Sequence, residues 1–191
     1  MNNKQIIVAE NKEHLIKIIK EEIEKNGYKC NLNHIDTSLI TDMSKLFHTY
    51  HFNGHISKWN VSNVTNMSSM FSNCNFCNDI SNWNVSNVKD MTAMFSYAPF
   101  NKDISKWDVT NLKYARYIFF ESKFDKDISA WNVKNMQSIN DIFEMSKAPI
   151  PYWAKIHNTE ERNNTIEAYH CKTYLDKTIN KNKSNNEVFK V

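Results

Sequence analysis

Three histidines and two cysteines near the middle of the chain are residue types that bind transition metals. His48, His51 and His55 come about 24 positions before Cys74 and Cys77, and 24 residues is the period of the repeat described below. The two groups are therefore expected on adjacent units. Two imidazoles and two thiolates could hold zinc in tetrahedral geometry, so a zinc site near His51, Cys74 and Cys77 is one hypothesis for function.

The position of Cys74 within the repeat favours a different interpretation. Ala98 and Ser122 occupy the equivalent position in the following units, so this position takes a small residue. A cysteine there behaves as a small buried hydrophobe. Phe76 lies between the two cysteines and belongs to the predicted core. The favoured expectation is therefore that the chain has no metal ligands and no cofactor.

No pattern of residues in the chain is typical of an enzyme. The sequence contains no glycine-rich phosphate loop and no G-x-S-x-G nucleophile motif. Asp79, Asp103 and Asp127 recur once per repeat, as capping or corner residues do, whereas a catalytic pair is needed once. We therefore expect no catalytic residues and a protein that is not an enzyme.

A unit of 24 residues repeats along most of the chain and must position any functional side chain. The same residue types recur at one spacing: Ile56, Ile80, Ile104 and Ile128; Trp59, Trp83, Trp107 and Trp131; Val61, Val85, Val109 and Val133; Phe47, Phe71, Phe95, Phe119 and Phe143. A strict period of this length is typical of proteins whose units bury their apolar faces against each other.

The pattern within one unit predicts its local structure. Trp59 and Val61 are apolar and Asn60 is polar, which is the alternation of a short strand. From Val64 to Phe71 the apolar spacing changes to that of a helical turn. The predicted fold class is α/β: a leucine-rich-repeat-like solenoid of about five 24-residue coils, each with one short parallel strand and one helical turn.

Glycine is rare, which raises the question of how the chain turns its corners. Only Gly27 and Gly54 are present, while asparagine is abundant and recurs in phase. Asparagine tolerates positive φ better than most residues, so we expect it at the corners. Asn63, Asn87, Asn111 and Asn135 are predicted to pair with the backbone of a neighbouring unit.

The termini differ from the repeats. A short strand is predicted at residues 5–9, followed by a capping helix from Asn11 to Asn26 with Asn11 as N-cap and Gly27 just beyond its end. Residues 158–180 are predicted to form a helix that either docks or binds a partner. Its apolar stripe contains Ala168, Cys171, Leu175 and Ile179.

The expected organisation has three parts. An N-terminal strand and capping helix occupy residues 1–32, the repeats occupy residues 33–153, and a C-terminal helix with a frayed tail occupies residues 154–191. Tyr152 and Trp153 are expected to fold over the last repeat.

The repeats resemble a known bacterial family. The segments HISKWNVSNVTNMSSMF, DISNWNVSNVKDMTAMF and DISKWDVTNLKYARYIF are similar to the repeats of BspA-like leucine-rich-repeat surface proteins, which are also catalogued as a bacterial domain of unknown function. The resemblance covers residues 5–153. It implies a leucine-rich-repeat fold and a role in surface display, adhesion or protein binding.

Composition and charge narrow the possible partners. The 24 basic and 21 acidic residues give a net charge of +3 without a concentrated basic patch, which argues against nucleic-acid binding. No apolar run is long enough for a membrane span, and no signal peptide is visible. We expect a cytoplasmic protein, with the cell surface or secretion as the alternative, and the oligomeric state stays open.

The outward positions of the predicted strands form the candidate binding face. Another protein is the expected partner, in a non-catalytic, scaffold role that could include adhesion or host interaction. The residues predicted to contact it are Lys58, Asn60, Asn82, Asn84, Lys106, Asp108, Asn132 and Lys134.

Overall fold

The computed structural model describes residues 5–137, 139, 141–156 and 158–188. Its elements in chain order are strand β1 (Ile7–Val8), helix α1 (Lys12–Asn26), strand β2 (Ile35–Asp36), a 3₁₀ helix (Tyr152–Lys155) and helix α2 (Thr159–Val188). The two strands form one parallel sheet in which Ile7 pairs with Ile35 and Val8 with Asp36.

The predicted fold class is wrong. A leucine-rich-repeat-like solenoid of about five coils would contain a strand and a helical turn in every repeat. In the described part of the chain, β1 and β2 are the only strands, and neither α1 nor α2 belongs to a repeat. Between residues 37 and 151 the described residues form turns, bends and isolated parallel bridges instead.

Consecutive turns explain why the first half of each repeat resembles a strand. The N–H of Trp59 donates to the carbonyl of Ile56 at 3.1 Å, and the N–H of Val64 donates to that of Val61 at 3.0 Å. The side chain of Asn60 accepts from the N–H of Ser62 at 3.1 Å. Such local bonds compete with the hydrogen bonds between strands of a sheet. The turns that they form still bury alternate side chains, as a strand would.

The second half of each repeat contains two left-handed residues in place of a helical turn. Positive φ recurs every 24 residues in two series: Lys45, Ser69, Ala93, Tyr117 and Asp141; Thr49, Asn73, Tyr97, Glu121 and Met145. Only one of these ten is asparagine, so the prediction of asparagine corners is wrong. The N–H of Ala93 donates to Arg116 O at 2.9 Å and that of Tyr97 to Phe120 O at 2.9 Å, so in these units the left-handed residues donate hydrogen bonds to the next unit.

Aromatic rings of successive units contact one another in the core. The ring of Phe71 lies 5.7 Å from those of Phe47 and Phe95, and the ring of Phe119 lies 5.9 Å from that of Phe143. A second series of parallel rings runs beside the first: Phe52, Phe76, Phe100 and Phe124. Offset-stacked rings contribute beyond the area that they bury, so these contacts fix the register between units.

Polar side chains also connect successive units. The Nδ2 groups of Asn87, Asn111 and Asn135 donate to backbone carbonyl oxygens of Ser62, Ser86 and Thr110 at 2.7, 2.8 and 2.6 Å. Asn63 makes the same bond to Ser38 at 2.8 Å. The predicted pairing of these four asparagines is confirmed.

The N-terminal strand and helix are confirmed. Asn11 caps α1 by accepting from the N–H of His14 at 2.9 Å. Gly27 follows the helix at φ +76°, and its N–H donates to the carbonyl of Ile23. The buried side of the helix consists of Leu15, Ile18, Ile19 and Ile23.

The C-terminal helix docks through its first turns. Arg162 and Ile166 are buried, and Nη2 of Arg162 donates to the carbonyl of Met136 at 3.1 Å. Trp153 is fully buried and its ring lies 6.0 Å from that of Phe143, so the predicted cover over the last repeat is confirmed.

The predicted stripe of α2 is not its docking face. Ala168, Cys171 and Leu175 are exposed, and the side chain of Ile179 lies outside the described residues. The helix continues to Val188, through most of the tail predicted to fray, and residues 189–191 are not described. The division into segments 1–32, 33–153 and 154–191 stays a prediction.

Candidate functional site

The predicted binding face consists of turns that lie next to each other. The asparagine bonds described above connect the turns at 60–62, 84–86, 108–110 and 132–134. Asn132 is half-buried and the other predicted residues are exposed: Lys58, Asn60, Asn82, Asn84, Lys106, Asp108 and Lys134.

Half of these side chains already have a local role. Asn60, Asn84, Asp108 and Asn132 each accept, through Oδ1, from the backbone N–H two residues later, at 3.1, 3.2, 3.0 and 3.4 Å. Such bonds fix the turns. The lysines and Asn82 therefore offer most of the freely available polar groups, and a binding role for this face stays a prediction.

The four residues of the zinc hypothesis make separate contacts. Nδ1 of His48 lies 3.1 Å from Ser72 O, and Nδ1 of His51 lies 3.2 Å from Nδ2 of Asn75. Sγ of Cys77 lies 3.3 Å from Nδ2 of Asn53. Within the described ranges, no three histidine, cysteine, aspartate or glutamate side chains are grouped so that they could hold a metal ion.

Cys74 has the character of an inert core thiol. It is buried, and its Sγ donates to the carbonyl of Phe52 at 3.3 Å. Burial raises the pKa of the thiol to about 11. Because a metal ligand or nucleophile must be a thiolate, this environment opposes both roles. The expectation that Cys74 is a small buried residue is confirmed.

A cluster of aromatic residues lies at the surface in the second half of the repeats, where no site was predicted; Tyr97 is exposed, and Tyr117 and Phe120 are half-buried. The ring of Phe120 lies 5.4 Å from that of Tyr97 and 5.5 Å from that of Tyr117, with interplanar angles of 72° and 76°. Tyr97 is 53% exposed. These edge-to-face contacts hold three rings together at the surface, and we call Tyr97, Arg116, Tyr117 and Phe120 the aromatic cluster.

Arg116 is held rigidly within the aromatic cluster. Its Cζ lies 4.6 Å from the centre of the Tyr117 ring, and its Nη2 donates to the Tyr117 hydroxyl at 2.9 Å. On the other side, Nε donates to Oδ2 of Asp141 at 3.1 Å. The bond to Asp141 and the neighbouring Tyr117 raise the pKa of the guanidinium, so Arg116 is a fixed positive charge.

Backbone geometry positions these rings. Tyr97 and Tyr117 both have positive φ, 56° and 58°, and the N–H of Tyr97 bonds the carbonyl of Phe120 at 2.9 Å. The hydroxyl of Tyr97 donates to Oε1 of Glu121 at 3.3 Å. Desolvation and the Glu121 carboxylate raise the pKa of this hydroxyl. Tyr97 is therefore a neutral hydrogen-bonding ring at neutral pH.

The sequence did carry a signal for this cluster. In the two preceding units the positions of Arg116, Tyr117 and Phe120 hold small residues: Ser68 and Thr92, Ser69 and Ala93, Ser72 and Ser96. Arg116 and Tyr117 replace small residues at partly exposed positions, and Phe120 replaces buried serines, so the repeat pattern of the core does not require any of the three large side chains. Departures from the repeat, more than the repeat itself, would have pointed to the cluster.

The comparison with protein families identifies the class of this chain. A family model described as "Mycoplasma protein of unknown function, DUF285" matches residues 18–121 and 73–156. These matches together span residues 18–156, which is more than half of the 191 residues. The chain belongs to this bacterial family of unknown function. No significant match was found among curated proteins or among solved structures.

The helices were also compared with the requirements of a membrane span. In the described part of the chain, none combines the length and the apolar character needed to cross a bilayer.

Proposed function

We propose that this protein is a non-catalytic binding module that recognises another protein through the aromatic cluster. The observation that supports this proposal is the surface group of Tyr97, Arg116, Tyr117 and Phe120, in which Tyr97 and Arg116 are exposed and the other two rings are half-buried. Tyrosine and arginine are enriched among the residues that dominate protein–protein binding energy. The binding face predicted from the sequence, between Lys58 and Lys134, contains neither residue type among its predicted contact residues.

Preorganisation is the physical advantage of the cluster. Ordering a long side chain at an interface costs about 0.5–1.5 kcal/mol. Arg116 is already held by Tyr117 and Asp141, and Phe120 is already in contact with two other rings. A partner that brings a carboxylate or an aromatic side chain therefore meets a surface that needs little further ordering.

A relation to one particular group of bacterial surface proteins is part of this proposal. The D-I-S-x-W-[ND]-V-[ST]-N pattern supports a relation to BspA-like surface proteins, whose association with adhesion and protein binding agrees with a binding module. Whether the protein acts inside the cell or at its surface follows from the partner, which the test below identifies.

Quantitative affinity capture tests the proposal. The parent, a Tyr97→Ala/Phe120→Ala variant and a Lys58→Ala/Asn82→Ala/Lys106→Ala variant are immobilised, and proteins retained from lysate and surface extract of the source bacterium and its host are quantified by mass spectrometry. We expect a protein retained by the parent to be lost from the first variant and kept by the second. A circular dichroism melt establishes that both variants fold.

Two results would contradict the proposal. Equal retention by the parent and the Tyr97→Ala/Phe120→Ala variant would exclude the aromatic cluster as the binding surface. Loss of the retained protein only from the Lys58→Ala/Asn82→Ala/Lys106→Ala variant would instead assign binding to the face predicted from the sequence.

A further inference from the structure

One set of backbone bonds between units, in the second half of the repeat, has a single direction, although other bonds, such as that from the N–H of Gln137 to the carbonyl of Lys113, run the opposite way. In each unit, N–H groups at alternate positions donate to carbonyl oxygens of the next unit: Phe95 to Ile118 at 2.9 Å and Phe119 to Ile142 at 3.1 Å. The N–H of Glu121 donates in the same way to the carbonyl of Glu144 at 3.3 Å. Each unit therefore offers donors toward the C-terminal end, where the next unit supplies the acceptors.

The last unit presents such donors with no next unit to accept them. Asp141, Phe143 and Met145 occupy the positions equivalent to Tyr117, Phe119 and Glu121. Among the residues that the structure describes, no carbonyl accepts from the N–H groups of these three. We call the segment 141–145 the donor edge.

A cavity lies directly beside the donor edge. It has a volume of about 570 Å³ and apolar walls from Ile139, Ile142, Phe143 and Ile150. The carboxylates of Asp141 and Glu144 also line it. A space of this size with apolar walls and a few polar groups is typical of a binding pocket.

The cover over the last repeat leaves this space open. Trp153 packs on the ring of Phe143, but the neighbouring Ala154 only lines the cavity wall. Met145 is 69% exposed and Ile150 is 57% exposed. The 3₁₀ helix therefore covers the aromatic core without supplying acceptors to the donor edge.

We propose that the donor edge binds a short basic segment of a partner protein. Alternate carbonyl groups of that segment accept from the N–H groups of Asp141, Phe143 and Met145, as the carbonyls of Arg116, Ile118 and Phe120 do for the preceding unit. Its apolar side chains fill the cavity against Ile142 and Ile150. A lysine or arginine pairs with Glu144, whose carboxylate makes no ion pair within the described residues, while Asp141 already holds Arg116.

A second copy of this chain does not offer the matching surface. Its acceptors would belong to the first repeat, and α1 is fixed there: Nζ of Lys12 donates to Oγ of Ser44 at 2.6 Å and lies 3.2 Å from Oδ2 of Asp42. The inference concerns a different surface from the aromatic cluster and does not depend on whether that cluster binds.

Amide hydrogen exchange with two peptide probes tests the inference. The probes are blocked seven-residue peptides that alternate either lysine and valine or glutamate and valine. In the free protein, the amides of Asp141, Phe143 and Met145 are expected to exchange faster than those of Phe119 and Glu121. The Lys–Val peptide should bind and slow exchange at the donor edge, and the Glu–Val peptide should not.

Charge variants make the test specific. Glu144→Lys should lower the affinity of the protein for the Lys–Val peptide about five- to tenfold, because the attraction between Glu144 and a lysine of the peptide becomes a repulsion. Glu167→Lys, at an exposed acid on α2, should leave the affinity unchanged. Absence of Lys–Val binding, binding without protection of the donor edge, or equal binding of both peptides would overturn the inference. Concentration-dependent protection without peptide would show that a second copy occupies the edge and would also overturn it.

Discussion

The indole N–H of Trp107 donates to the backbone carbonyl of Ile80, 27 residues earlier, at 3.3 Å. The tryptophans of the other units make the same bond to the residue 27 positions earlier: Trp59 to Leu32, Trp83 to Ile56 and Trp131 to Ile104, at 2.9, 3.3 and 3.0 Å. Each tryptophan therefore fills the core and also donates a second hydrogen bond to a carbonyl of the preceding unit, which explains why this position is constant within the sequence.

Removing the indole N–H of Trp107 should destabilise the protein even when a large ring remains. We expect Trp107→Phe to lower the free energy of unfolding by about 0.5–1.5 kcal/mol, because Ile80 O keeps the N–H of Trp83 as a donor and loses only the indole. Trp107→Ala should lower it by about 3–5 kcal/mol, because a cavity forms as well. Urea denaturation measures both. A phenylalanine variant as stable as the parent would show that the hydrogen bond contributes nothing.

Replacing a left-handed alanine with glycine should stabilise the protein. Ala93 has φ +54°, a conformation that costs a residue with a Cβ about 1–2 kcal/mol. Glycine removes that cost but increases the conformational entropy of the unfolded chain. Ala93→Gly should therefore raise the free energy of unfolding by roughly 0.5–1 kcal/mol. Ala130→Gly, at an exposed alanine outside the positive-φ series, should lose about 0.4–1 kcal/mol. Thermal denaturation compares the two, and a loss in both variants would contradict the explanation.

The two glycines are needed for different reasons. A Cβ on Gly54 would lie 2.2 Å from Cys30 O and 2.6 Å from the ring of Phe52, whereas a Cβ on Gly27 would meet nothing within 4 Å. Gly27→Ala should therefore cost only the strain of positive φ, about 1 kcal/mol. Gly54→Ala adds a backbone clash and should cost more than that in chemical denaturation. Equal losses would mean that the backbone near Cys30 moves freely.

Stability should fall in mildly alkaline solution because of Cys74. Burial raises the pKa of its thiol from 9.0 to about 11, so the folded protein holds this proton more tightly than the unfolded chain. Below pH 9 the stabilisation is fully present. As pH rises toward 11 it is lost, and the free energy of unfolding falls by on the order of 2 kcal/mol.

The variant Cys74→Ala isolates this contribution, since Ala98 is its counterpart in the next unit. The difference in unfolding free energy between parent and variant should shrink between pH 9 and 11. This comparison removes the effect of Tyr152, whose pKa burial raises to about 12 and which is present in both proteins. A difference that stays constant across this range would contradict the prediction.

Local signals predicted some parts of the fold correctly. Asn11 and Gly27 define the ends of α1 because capping and positive φ depend on neighbouring residues only. The pairing of Asn87 with Ser62 followed from its repeated position. The strand and helical turn were wrong because Trp59 and Val61 have the same alternating burial in consecutive turns as in a strand, and sequence spacing cannot distinguish the two.

The corners and the aromatic cluster depend on contacts between units. Lys45 and Glu121 are poor residues for positive φ on local grounds, yet both adopt it at repeat positions where their N–H groups bond the next unit. Likewise, Tyr97 and Phe120 are 23 residues apart in sequence and meet only when successive units lie side by side. The residue pattern within a single unit therefore cannot predict the corners or the aromatic cluster.

Site-specific photo-crosslinking tests the central claim of protein binding most directly. A photoreactive phenylalanine is placed at Phe120 in one sample and at Asn84, on the face predicted from the sequence, in another. After irradiation in extracts of the source bacterium and its host, we predict a discrete covalent adduct with a second protein at position 120 and none at position 84. An adduct at position 84 alone, or no adduct at either position, would contradict binding through the aromatic cluster.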